Sequence, residues 1–253
     1  MLFPRIRSAL RYLRLGTDPV YRWKLSRSRC PSCNAHLFIS LKPSDFFTRC
    51  LSCRANVVNL SLIPVIKSHF DRLTCATMHA YELSTYGATF KYLKSNFGKV
   101  TTSEYMPGEM RGGVIDGVLN EDITNLTFAD NTFDLITSNS VFEHVPDDIR
   151  GYQECFRTLK NDGVLIFTVP LYDIAETIKM AVITPSGIEF IEKPEYHDSR
   201  LGGPKSALTF WRHSYRDICD RVAIAGFNRL ELVNVLITPV QGLPTKVVYA
   251  RKN

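Results

Sequence analysis

No run of apolar residues in this 253-residue chain is long enough to cross a bilayer as a helix. The longest uncharged stretches, residues 55–66 and 232–245, are broken by Pro64 and Pro239 and fall short of the roughly 18–20 residues a span needs. An apolar secretory core with a small-residue cleavage site is also missing from the N-terminal region. The seven cysteines are an odd number and do not form a disulfide framework of the secreted kind. Together these absences lead us to expect a cytoplasmic protein whose thiols are reduced. Nor does the body of the chain carry an excess of one charge. The net +6 comes from residues 1–29, where eight Lys and Arg face a single acid, Asp18. A nucleic-acid binder that spread positive charge over a folded face would look different; nucleic acid is therefore a disfavoured partner.

What is present describes an ordinary globular chain. Hydrophobic residues make up 45% and charged residues 22%, with 14 Gly and 13 Pro, which excludes collagen-like, coiled-coil and disordered classes. The length suits one full domain plus a smaller unit. Residues 1–17 space Leu2, Phe3, Ile6, Ala9, Leu10 and Leu13 as one helical stripe with arginines opposite. Two readings stand for it: peripheral contact with an anionic membrane surface, or packing on the main domain. Residues 1–29 as a whole read as a basic arm.

Residues 30–56 carry the sharpest local pattern. Cys30 and Cys33 form one CxxC and Cys50 and Cys53 a second, sixteen residues later. Each CxxC turn aims two sulfurs at one point, and two such turns complete a tetrahedral shell for Zn²⁺. Four protein ligands leave no open position, so such a zinc is structural. A redox CxxC is the competing reading, and the doubled motif speaks against it.

From residue 57 to 253 strands and helices alternate. Strands are expected over 76–83, 100–105, 132–138, 164–169, 229–237 and 246–251, with helices over 88–97 and 147–159. A further helix opens at Ser214 and Asp217, spaced as a capping box. This rhythm predicts an α/β class: a Rossmann-like, doubly wound, mostly parallel sheet preceded by a small zinc ribbon. Residues 184–207, with three prolines and three glycines, read as an irregular loop or lid.

In such a sheet, ligands bind beyond the carboxyl ends of the strands. Glu82 ends the first strand and is followed by Ser84 and Gly87 before a helix, where small residues and free amides admit an anionic or polar ligand. Glu104 ends the second strand, 22 residues on, where a carboxylate accepts ribose hydroxyls. Asp122 is placed to accept from an adenine amino group while Ile123 packs on the ring.

With these pieces in order, about residues 70–253 resemble the class I S-adenosylmethionine-dependent methyltransferases. The resemblance rests on the Glu82–Gly87 turn, Glu104, Asp122-Ile123, Phe133-Asp134-Leu135-Ile136, Phe142-Glu143-His144-Val145 and Leu159 to Leu165. It implies S-adenosylmethionine as cofactor, with Glu82 at the methionine amino end, Glu104 on the ribose and Asn139 beside the cofactor. The usual turn holds several glycines, whereas Ser84 and Tyr86 occupy two of those positions here. A sulfonium methyl needs alignment more than activation, and a hydroxyl acceptor gains from a base, for which His144 and His197 are the candidates. The region from Glu195 to Asp198 and from Trp211 to Tyr215 is similar to the acceptor region of zinc-ribbon-bearing methyltransferases associated with glycan or secondary-metabolite modification. Three functions follow: methyl transfer to a small-molecule or glycan hydroxyl, transfer to RNA or protein, and cofactor binding without transfer. The first is preferred.

Overall fold

The computed structural model describes residues 23–42, 44–199 and 202–253. The stripe over residues 1–17 lies outside them. A small antiparallel sheet comes first, in the order β1 (Lys24–Arg27), β2 (Leu37–Ser40) and β3 (Thr48–Cys50). Residues 24–27 therefore belong to the cysteine module, ahead of the boundary expected at residue 30, because β1 pairs along its whole length with β2. The two CxxC turns follow β1 and β3 and share one geometry. Asn34 N–H donates to the Cys30 carbonyl and Arg54 N–H to that of Cys50. Both residues are left-handed, with φ of 60° and 64°. Asn tolerates that conformation; Arg54 adopts it although it costs a residue of its type about 1 kcal/mol.

Helix α1 (Val57–His69) joins the module to the rest of the molecule. Asn56 caps it, its side chain accepting from the Asn59 N–H at 2.8 Å. Val57, Leu60 and Ile63 pack against Cys30, Phe38 and Cys50, whereas Leu62, Val65 and Ile66 pack on the large sheet. A helix covered on both sides has no polar stripe, so its sequence reads only as an uncharged run. The short helix α2 (Arg72–Cys75) leads into the first strand of the domain.

Next come β4 (His79–Glu82), α3 (Gly87–Asn96), β5 (Lys99–Glu104), β6 (Val114–Ile115) and β7 (Val118–Asn120). They are followed by β8 (Phe133–Asn139), α4 (Asp148–Thr158) and β9 (Leu159–Thr168). Short strands β10 (Leu171–Tyr172) and β11 (Ile178–Lys179) pair with β16 (Trp211–Ser214). Between them stand two hairpins, β12 (Ala181–Thr184) with β13 (Gly187–Phe190), and β14 (Tyr196–Ser199) with β15 (Gly203–Leu208). The irregular loop expected over 184–207 is thus replaced by paired strands. Pro185 and Ser186 make the first turn, Gly187 opens β13 at φ 124°, and Pro194 falls in the connection between the hairpins. Helix α5 (Ile218–Ala223) and strands β17 (Arg229–Val235) and β18 (Thr245–Arg251) complete the order.

The main sheet runs β17-β18-β9-β8-β4-β5-β7-β6. Strands β9, β8, β4, β5 and β7 are parallel, and β18 is antiparallel to both its neighbours. Chain order reverses at β4, flanked by β5 and β8, so the carboxyl ends of these three strands form the switch point. Under α4 the core stacks Tyr81 on Phe133 and gathers Phe142, Tyr152 and Phe167. The capping box expected at Ser214 and Asp217 does not form. Ser214 ends β16, and the Asp217 carboxylate accepts from the N–H and hydroxyl of Thr177. One long-range bond ties module to sheet: Thr245 Oγ1, at the start of β18, donates to Asp45 Oδ2 at 2.7 Å.

Candidate active site and cysteine centre

At the switch point, Glu82 is 1% exposed and accepts from Thr137 Oγ1 on β8. Burial pushes its carboxyl up to about 8. Glu104 ends β5, and its Oε1 accepts from the N–H of Thr85 at 2.9 Å and from its hydroxyl at 2.7 Å. The carboxylate thus joins β5 to the turn before α3. In that turn Gly87 has φ 99°, and a Cβ added there would meet nothing within 4 Å. Tyr86, the residue that stands in a usual glycine position, points outward and is exposed. Asn139 ends β8. Its Nδ2 donates to Thr89 Oγ1 at 3.1 Å, while its Oδ1 is buried without a hydrogen-bond partner among the described residues. An open turn and an unpartnered acceptor on facing strand ends fit a ligand that carries an amino group.

Ser84 Oγ lies 3.4 Å from the Tyr86 nitrogen. Asp122 Oδ1 accepts from both the N–H and the hydroxyl of Thr124, so it organises the loop after β7. Ile123 joins the core beneath α4, where a Cβ added at Gly151 would come within 3.2 Å of the Phe142 ring and 3.6 Å of Ile123.

The two histidines come from distant parts of the chain. A 3₁₀ turn, Phe142–His144, follows β8 and presents His144; β14 presents His197. Their rings meet edge to face with centroids 5.0 Å apart. His144 Nδ1 lies 2.8 Å from the carbonyl of Leu208, to which it must donate. Burial lowers the His144 pKa. Between them lies Glu143, 1% exposed, which sequence reasoning quoted in a motif but did not single out. Its one signal was a carboxylate in a segment whose neighbours are apolar. Glu195 was likewise quoted only as part of the acceptor region: it accepts from Arg212 at 3.0 Å and lies 3.4 Å from His197 Nε2. Against the raising effect of burial, these partners hold its pKa below the usual carboxylate value.

The four cysteines converge. Cys30 and Cys53 sulfurs are 3.7 Å apart, and those of Cys33 and Cys50 3.6 Å. Sulfurs bound at 2.3 Å in a tetrahedron are about 3.8 Å apart, so the donor set fits a zinc ion. The hydrogen bond from Cys53 lowers the Cys30 thiol to about 5 and raises Cys53 in turn.

Residues 83–167, which run from the end of β4 through most of β9, match the family model of a methyltransferase domain. That segment is similar to a methyltransferase domain. The fold of the chain is that of S-adenosylmethionine-dependent methyltransferases. An enzyme of this kind from Mesorhizobium loti is 15% identical, covering 76% of this chain and 98% of that one, with a TM-score of 0.50. The 1,6-didemethyltoxoflavin-N1-methyltransferase of Burkholderia thailandensis, solved with 1,6-didemethyltoxoflavin and S-adenosylhomocysteine, is 14% identical. It covers 75% of this chain and 76% of its own, also with a TM-score of 0.50. Over 61 residues the chain is 39% identical to a ubiquinone biosynthesis O-methyltransferase of Actinobacillus pleuropneumoniae serotype 5b (strain L20); the match spans 24% of each protein. Among the described residues no helix is long and apolar enough to cross a membrane.

Proposed function

We propose that this protein transfers a methyl group from S-adenosylmethionine to a hydroxyl of a small molecule, and that its four cysteines hold a structural zinc ion. The observation that carries the reading is a conjunction inside the methyltransferase domain: Glu82 and Glu104 at adjacent strand ends, open space at Gly87, and the unpartnered Oδ1 of Asn139. The printed names of the Actinobacillus and Burkholderia relatives, an O-methyltransferase and an enzyme solved with a small heterocycle, support a small acceptor. A sugar hydroxyl suits the same chemistry.

The cofactor supplies a methyl group already activated on a sulfonium. The chain's own residues bind and align. Asn139 Oδ1 accepts from the amino group of the methionine end, where Glu82 lies just beneath. Glu104, whose carboxylate can accept more than the two bonds Thr85 makes, takes the ribose hydroxyls. Asp122, with Ser84 and Gly87 across the turn, borders the nucleoside, and Ile123 forms part of its floor. His144 and His197 stand at the acceptor end and assist loss of the hydroxyl proton. Titration calorimetry with S-adenosylmethionine and S-adenosylhomocysteine tests the reading. Micromolar binding of either is expected, and a folded protein that binds neither overturns it.

A further inference from the structure

We propose that Glu143, His144 and His197 form a second metal site, one that binds a divalent first-row transition ion and receives the acceptor hydroxyl. The role at the acceptor rests on the methyltransferase reading; the site itself does not.

Glu143 Oε1 lies 3.7 Å from His144 Nε2 and 3.8 Å from His197 Nδ1, and one ligand atom from each residue falls within 4.8 Å of the others. These gaps are too long for hydrogen bonds. They are close to the spacing of about 3.4 Å that two ligands about 2.1 Å from one ion adopt at the tetrahedral angle. The tautomers are set for ligation. Because His144 Nδ1–H is spent on the Leu208 carbonyl, its Nε2 carries the lone pair and faces Glu143. His197 Nε2 faces Glu195, itself fixed by Arg212, which leaves Nδ1 turned to Glu143. A histidine whose far nitrogen is held by a carbonyl or carboxylate is the usual outer shell of a metal ligand.

Glu143 is the independent sign of a missing partner. Its side chain is 1% exposed, and neither carboxylate oxygen has a hydrogen-bond partner among the described residues. A buried carboxylate left without partners is costly, and a cation between it and two imidazoles removes that cost. Two imidazoles and one carboxylate suit zinc, iron, cobalt or nickel better than magnesium or calcium.

Three protein ligands leave a coordination position open, which the cysteine centre does not. The histidine side chains are 21% and 30% exposed, so that position is reachable from solvent. A hydroxyl bound there loses its proton to solvent. The resulting oxygen attacks the methyl carbon, the carbon–sulfur bond breaks, and its electron pair stays on sulfur. The products are the methyl ether and S-adenosylhomocysteine, and charge balances.

Equilibrium dialysis of the full chain against zinc, with metal analysis, tests the site in wild type, Glu143→Gln and His197→Asn. Circular dichroism checks the fold, and S-adenosylhomocysteine titration is run on the same samples. Wild type is expected to hold one more zinc equivalent than either variant, the cysteine-bound zinc being common to all. Equal zinc in wild type and folded His197→Asn overturns the site. His197 lies partly exposed on a hairpin, so this variant decides even if Glu143→Gln fails to fold. Cofactor-product binding without the extra zinc removes the metal site and spares the methyltransferase reading. Extra zinc without that binding upholds the site and removes the reading.

Discussion

Between residues 23 and 53, Phe38 and Leu41 are the only buried apolar side chains among the described residues besides cysteine. The sheet domain, by contrast, encloses Tyr81, Phe133, Phe142, Tyr152 and Phe167 in one cluster. The first region is too small to hold itself by burial and gathers four sulfurs instead. The second is held by its core, which leaves it able to carry costly polar groups at strand ends. Glu82 at the end of β4 is such a group, as is Glu143 in the turn after β8, each 1% exposed. Dependence between the regions runs one way, because the module leans on α1 and α1 leans on the sheet.

Removing the sulfurs should give the largest effect. Structural zinc contributes on the order of 10 kcal/mol to folding of such modules, so Cys30→Ser combined with Cys53→Ser should abolish amide protection in β1–β3. Protection in β8 and β9 should survive; its loss would break the one-way dependence. Next comes Phe133→Ala, expected to cost about 3–5 kcal/mol. Here the urea midpoints of sheet and module should fall together, and separate transitions would show that the module stands alone.

Glu82 sharpens the contrast through pH. Its carboxyl sits at about 8 in the folded cofactor-free protein, against about 4.5 for an unburied glutamate. Between those values the native state holds a proton that the unfolded chain has released. The contribution is therefore complete below the unfolded value and is lost as pH rises toward 8. Glu82→Gln should remove a slope of up to about 1.4 kcal/mol per pH unit from the stability profile. An unchanged profile would mean that Glu82 is ionised in place. The smallest effect on stability belongs to Glu104→Ala, which should weaken S-adenosylhomocysteine about tenfold while unfolding shifts by less than about 1 kcal/mol. A variant that unfolds yet binds normally when folded would return Glu104 to a purely structural role.

The parallel strands were legible because burial on both faces leaves near-continuous apolar runs, as in Val164 to Phe167. Helix α4 was legible from its one-sided stripe of Ile149, Tyr152 and Phe156, all of which meet the core beneath it. Helix α1 was not, since both its faces are covered and Pro64 interrupts it. The hairpins between β11 and β16 were hidden for the opposite reason: their residues are mostly exposed, so no alternation marks them. Strand-end acids could be chosen by position, because topology fixes where strand ends meet. That Glu143 and His197 approach to 3.8 Å depends on a hairpin folding back across more than fifty residues, and local pattern does not encode it.

The bond from Thr245 to Asp45 spans 200 residues of chain. A single hydrogen bond returns about 1 kcal/mol, less than the entropy of closing a loop that long. It forms only after α1 and the sheet have brought its two ends together. The seam it closes is therefore a consequence of the packing of α1 on both sides and not its cause.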